Sequence, residues 1–171
     1  MRGMCKALAL FAVLTLALVS PSRAGEVSAA AGSKDSLVGT WRLVSYEDLD
    51  ASGKVTREFG EHPLGYVVYD STGHVFVNIM KTPPLPAAGF EDEKPTPGLK
   101  SKAYEAYVGY FGTYSVDWQK SEVVHHVEGS LDPSYTGTDQ PRPFLLQGDT
   151  LILGDQKTWK RLLVRVSPRN P

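Results

Sequence analysis

Two adjacent histidines, two tyrosines four residues apart and an arginine set between prolines are the residues of this chain best suited to chemistry. His125 and His126 lie in a strand-like run, Glu122 to Leu131. Neighbours on a strand point to opposite sides of the sheet, so the two imidazoles cannot share a metal or act as a pair. Val123, His125, Val127 and Leu131 form the more apolar face, which places His125 inside and His126 on the solvated side. Two readings of His125 stay open: a core histidine satisfied by one hydrogen bond, or a ligand-contacting or catalytic group. Tyr110 and Tyr114 share a face with Gly112 between them, which makes room inside a closed sheet or allows a bend. Facing inward beside His125, the two phenols would give a pocket with apolar walls and a few hydroxyl donors. The alternative is aromatic packing with the hydroxyls reaching solvent.

Arg142 stands in Gln140-Pro141-Arg142-Pro143-Phe144 and shares parity with Phe144 and Leu146. If it points inward it needs an anion, either a carboxylate or a ligand. If it points outward it is a surface cation on an edge that prolines protect from pairing. Other patterns carry less. His62 and His74 lack zinc-like spacing to His125, so no metal site is expected. Neither Ser45 nor Ser134 sits in a nucleophile elbow, and no glycine-rich loop cradles a phosphate, so no cofactor is expected.

These side chains must be positioned by short strands. Leu37–Glu47 alternates, with Trp41, Leu43 and Ser45 on one face. Lys54–Phe59 reads as a second strand. Gly65–Asp70 and His74–Met80 form a hairpin across Asp70-Ser71-Thr72-Gly73. Lys81–Lys100 holds five prolines and reads as a long loop. Lys100–Val108 has near-helical spacing. Tyr110–Val116 and Glu122–Leu131 form the next hairpin. Phe144–Gln147 and Thr150–Leu153 pair across Gly148-Asp149, and Lys157–Val166 closes the chain. The fold class predicted is all-β: an up-and-down antiparallel β-barrel of eight to ten strands with one short helical insertion. Antiparallel strands in sequence order hide their edges by closing, and about eight strands enclose side chains or one small ligand. Closure sets the first strand beside the last, so Trp41 is expected near Arg165.

The opening Gly39-Thr40-Trp41, the run Tyr110-Phe111-Gly112-Thr113-Tyr114-Ser115-Val116-Asp117 and the run Val124–Leu131 together resemble the lipocalin-like domain family. The resemblance spans roughly Ser36 to Val166. It implies a small calycin-type barrel with a ligand pocket. It also implies a structural signature of Gly39, Trp41 and Arg165, in which an arginine of the last strand covers the indole and seals one barrel end. Arg161, four residues earlier, is the second candidate for that arginine. The long Pro-rich segment and the lack of disulfides depart from the wider lipocalin pattern.

The chain has 171 residues. Arg2 and Lys6 precede an uncharged apolar stretch, Ala7–Ser22, and Ser22-Arg23-Ala24 supplies a small-x-small end. This is the pattern of a secretory signal peptide, residues 1–24, and the stretch is shorter than the ~20 residues that span a bilayer. A flexible leader, residues 25–35, and a barrel domain, residues 36–167, are expected to follow. Cleavage removes Arg2, Lys6 and Arg23 and no acid, moving the formal charge from −1 to −4. A mildly acidic chain without a basic run argues against nucleic acid, against anionic membrane surfaces and, after cleavage, against stable membrane insertion. The one cysteine, Cys5, leaves with the signal.

The function expected first is an exported, periplasmic or extracellular protein that holds a small, mostly apolar or amphipathic ligand. Tyr110, Tyr114, His125 and Arg142 would be its polar anchors, and the Pro-rich loop a lid. The alternative is a cofactor-independent isomerase, cyclase or hydrolase acting on an apolar metabolite, with His125 as general base. A third reading is a barrel filled by its own side chains.

Overall fold

The computed structural model describes residues 37–91 and 94–167; the expected signal peptide and leader lie outside them. Among the described residues nine strands and one helix follow in order. They are β1 (Gly39–Leu49), β2 (Val55–Thr56), β3 (Leu64–Tyr69), β4 (His74–Met80), α1 (Pro97–Glu105), β5 (Tyr107–Asp117), β6 (Glu122–Ser130), β7 (Asp139–Gln147), β8 (Thr150–Leu153) and β9 (Trp159–Arg165). Each strand from β3 to β9 pairs antiparallel with the next, and β1 pairs with both β3 and β9. Eight strands therefore close a barrel, which leaves no long free edge. The ninth, β2, extends the β3 side of β1 at Asp48 and Leu49.

The turns divide between the two ends. Residues 70–73, 117–121 and 148–149 connect strands at the end where β1 begins and β9 finishes. The longer connections, among them 81–106 and 131–138, lie at the other end. The inner face is apolar: Val67, Val75, Val77, Val123, Leu151 and Leu163 are all buried.

Two bulges decide which side chains face in. In β1 the register with β9 shifts between Leu43 and Ser45. Val44 is the extra residue, and it reverses the alternation beyond it. Ser45, expected on the face of Trp41 and Leu43, turns away, and Tyr46 takes the inward place against Arg161. In β6 the register shifts between the partners of Phe111 and Gly112, leaving Glu128 unpaired. The strands crowd there: a Cβ on Gly112 would collide with the His126 carbonyl oxygen. Gly112 is thus required by close backbone approach rather than by space for the tyrosines.

Helix α1 begins three residues earlier than its spacing suggests. Thr96 caps it, its hydroxyl accepting from the Leu99 N–H at 3.3 Å, and Pro97 takes the first turn, where its missing N–H is harmless. Strand β7 also starts earlier, at Asp139, and runs through two prolines. The Phe144 N–H points toward β6, donating to the Ser121 carbonyl at 2.7 Å. By alternation the nitrogens of Pro141 and Pro143 point to the other edge. There β8 pairs only Phe144–Gln147, so no ladder bond is lost.

Candidate functional site

The N-terminal end of the barrel is sealed. Trp41 is fully buried and its indole N–H donates to the Leu37 carbonyl at 2.9 Å. Trp41 pairs with Arg165 across β1 and β9, and the guanidinium carbon stands 4.1 Å from the indole centroid. Arg165 also donates to the Val38 carbonyl at 2.7 Å and meets Asp149 at 3.2 Å. Gly39 makes this possible. Its φ is +143°, and a Cβ there would stand 2.7 Å from Arg165 Nη1. The glycine and the tryptophan of the Gly-x-Trp element are thus joined by one guanidinium that lies across both.

Above this seal lies a layer of polar groups in an apolar shell. His125 is fully buried. Its Nε2 is 2.8 Å from the Tyr69 hydroxyl and its Nδ1 is 2.9 Å from the Tyr110 hydroxyl. A neutral imidazole has one N–H and one lone pair, so one phenol accepts and the other donates. Burial, with the nearby Arg142 charge adding to it, pushes the His125 pKa down to about 3. Burial likewise raises Tyr110 to about 12, Arg142 opposing, and drives Tyr69 well above its ordinary value. All three groups are neutral near neutral pH. Tyr114 packs edge-on against Tyr69, with ring centroids 4.9 Å apart, and donates to the Asp70 carbonyl at 3.1 Å.

Beyond this layer, toward the end with the long connections, is a cavity of about 670 Å³. This lies within the ~300–1,000 Å³ typical of small-molecule sites. Leu43, Val67, Val77, Ile79 and Leu163 form apolar wall, and Tyr46, Tyr110, Tyr135, Arg142, Trp159 and Arg161 supply aromatic and polar groups. Of the four side chains considered as ligand anchors, Tyr110 and Arg142 line this cavity. Tyr114 and His125 do not; they lie in the packed layer beneath it. A general base needs a lone pair aimed at its substrate. Both nitrogens of His125 are instead engaged by phenols, and the ring has no face on the cavity.

The two cavity arginines differ in their partners. Arg161, considered as a cover for Trp41, lies instead over Tyr46, its guanidinium carbon 3.2 Å from the ring centroid. It donates to the Glu47 carbonyl at 2.6 Å and pairs with Asp48 at 3.0 Å. Arg142 reaches neutral oxygens: Pro141 O at 3.3 Å, Gln140 Oε1 at 3.4 Å and the Tyr110 hydroxyl. Trp159 sits between them, with the two guanidinium carbons 5.4 and 5.3 Å from its ring centroid.

Sequence reasoning did not single out Tyr46, Tyr135 or Trp159. Trp159 was within reach, since it shares parity with Arg161, Leu163 and Arg165 along β9. Tyr46 was hidden by the bulge and Tyr135 by its polar loop.

The Pro-rich segment packs beside the cavity mouth. Pro84, Leu85, Pro86 and Phe90 meet α1 and β5 around a second, largely apolar cleft of about 930 Å³. Tyr104, Tyr107 and Leu131 line both hollows.

On the outer face, His126 bridges Ser115 and Asp139. Its Nε2 is 2.9 Å from the Ser115 hydroxyl and its Nδ1 is 2.6 Å from Asp139 Oδ1. The connectivity is that of a hydrolytic triad. The hydroxyl and carboxylate are exposed, however, and none of the three lines the cavity. The link ties β5, β6 and β7 together across the sheet. Among the described residues, no cluster of His, Cys, Asp and Glu could hold a metal ion, and no helix is long and apolar enough to cross a membrane.

A closed up-and-down barrel, sealed at one end and hollow toward the other, defines a container-type β-barrel protein. The chain belongs to the lipocalin-like domain family, which matches residues 38–165. No curated protein matches it.

Proposed function

We propose that the protein is an exported carrier of a small, mostly apolar molecule held in the barrel interior. The observation that carries this reading is the cavity of about 670 Å³, walled by aliphatic side chains above the layer capped by Tyr110. Burying an apolar ligand there removes its surface from water, worth ~25 cal/mol per Å² before the costs of association. The Pro-rich segment acts as a lid, since it shares Tyr104 and Tyr107 with the cavity mouth.

A ligand that binds only the folded barrel stabilises it by about 2.7 kcal/mol at one hundred times its Kd. Thermal midpoints measured against a panel of lipophilic molecules should therefore rise by several degrees for at least one member. Trp159, in the cavity wall, should change its fluorescence with the same ligand. A panel that moves neither signal counts against the carrier reading.

Export rests on the N-terminal pattern: two early cations, the apolar Ala7–Ser22 stretch and the small residues at Ser22 and Ala24. Protein recovered from the native host should have the intact mass of a chain beginning at Gly25. A mass that includes residues 1–24 would reject export by cleavage.

A further inference from the structure

We infer that the cavity selects monocarboxylates, with the carboxylate held by Arg142 and an apolar body against the aliphatic wall. The inference rests on the carrier reading and specifies its ligand class. It starts from the unequal treatment of the two cavity arginines. The charge of Arg161 is balanced inside the protein by Asp48 at 3.0 Å and dispersed over the Tyr46 ring. Arg142 lines the same hollow, yet no carboxylate lies within 4.0 Å of it among the described residues. Its hydrogen bonds go to neutral oxygens, those of Pro141 and Gln140 at 3.3 and 3.4 Å and the Tyr110 hydroxyl.

A partly buried guanidinium is most stable with an anion in its fork, and the planar fork matches a carboxylate bidentately. The groups around it suit the same guest. Tyr135 lines the cavity, and its hydroxyl has no hydrogen-bond partner among the described residues. It is free to donate to a second carboxylate oxygen. Trp159 and Tyr110 flank the guanidinium and limit its access to water. A dianion such as a phosphate monoester would bring two charges to one uncompensated cation. A monoanion matches the single charge of Arg142, and the acids that also line the hollow, Glu58, Glu105 and Asp132 besides the paired Asp48, weigh further against a dianion. Arg161 then serves as wall rather than as a second head-group site, because its charge is already met by Asp48.

Two ligands with one tail separate this proposal from the reading beneath it. Decanoic acid and 1-decanol should be titrated by calorimetry near neutral pH into the wild type and into Arg142→Gln. Charge-assisted hydrogen bonds are stronger than neutral ones, so the acid should bind the wild type about tenfold or more tighter than the alcohol. Arg142→Gln should erase that preference and leave decanol within about twofold. Tyr135→Phe should weaken the acid severalfold and spare the alcohol.

If the wild type binds acid and alcohol equally, carboxylate selection is wrong and the carrier reading stands. Loss of both ligands together in Arg142→Gln also counts against selection. If the wild type binds neither, the carrier reading fails and selection with it. The wild-type comparison needs no variant, so misfolding of Arg142→Gln does not shield the proposal.

Discussion

Lowering the pH from 6.5 to 5 is expected to cost the folded barrel about 2 kcal/mol through one residue, His125. In the unfolded chain its imidazole protonates near pH 6.5; in the barrel it does so only near 3. Between those values the unfolded state binds more protons. Stability therefore rises with pH across the window and is lost as pH falls. Above the window both states are neutral and the residue adds no slope. Over the whole window the loss approaches roughly 5 kcal/mol, a large share of the ~5–15 kcal/mol that holds a typical domain together.

The cause is geometric. Protonation would place a cation in the layer shared with Tyr69 and Tyr110, near Arg142, with no carboxylate to meet it. Carboxylates held low by their own partners, such as Glu47 beside Lys160, weaken the fold only at more acid pH. Urea midpoints measured from pH 7 to 5 should fall steeply for the wild type and stay nearly flat for His125→Gln. Parallel curves for the two proteins would overturn the assignment. A second consequence is independent of pH. Among the described residues every buried side-chain polar atom has a partner. His125→Phe would leave two phenols without theirs, at about 1–3 kcal/mol each.

Much of the barrel was legible in the sequence because its turns are written in residues with strong local preferences. Asp70 accepts from the backbone of Thr72 and His74, and Gly73 takes a positive φ, so the β3–β4 hairpin is specified within one short stretch. Gly148-Asp149 does the same for β7 and β8. Alternation then gave the inward sets of β5 and of β6 as far as Val127, and closure gave the pairing of Trp41 with Arg165.

What alternation could not give was the effect of an extra residue. Val44 reverses the parity of β1 and carries Tyr46 into the cavity, and no local preference at Val44 marks the bulge. Depth was equally hidden. His125 and Arg142 both face inward, yet one lies in a packed layer and the other lines a hollow. That difference depends on stagger between strands and on the volumes of Tyr69, Tyr110 and Tyr114. These are properties of the closed barrel rather than of any strand. Tyr135 comes from a loop whose polar composition says nothing about the direction of its one aromatic ring.

Trp41→Ala is expected to destabilise the barrel by ~3–5 kcal/mol, because it removes the largest fully buried side chain from a layer with little freedom to collapse. Arg165 should account for part of that loss without being in the core itself. Its guanidinium spans Trp41, the Val38 carbonyl and Asp149, so it ties the first strand to the last at the point where the cylinder closes. A double-mutant cycle separates packing from capping. The coupling between Trp41→Phe and Arg165→Met should be about 0.5–2 kcal/mol, the range of a cation over an indole that is partly shielded from water. Gly39→Ala should reproduce much of the Arg165 loss without touching either partner. Its new methyl group would occupy the path of Nη1 and sit at a φ that L-residues rarely adopt. If Gly39→Ala and Arg165→Met add independently, the glycine is not there for the guanidinium. If they fail to add, the Gly-x-Trp element and the arginine of the last strand form one closure device, written at opposite ends of the barrel sequence and joined only when the barrel closes.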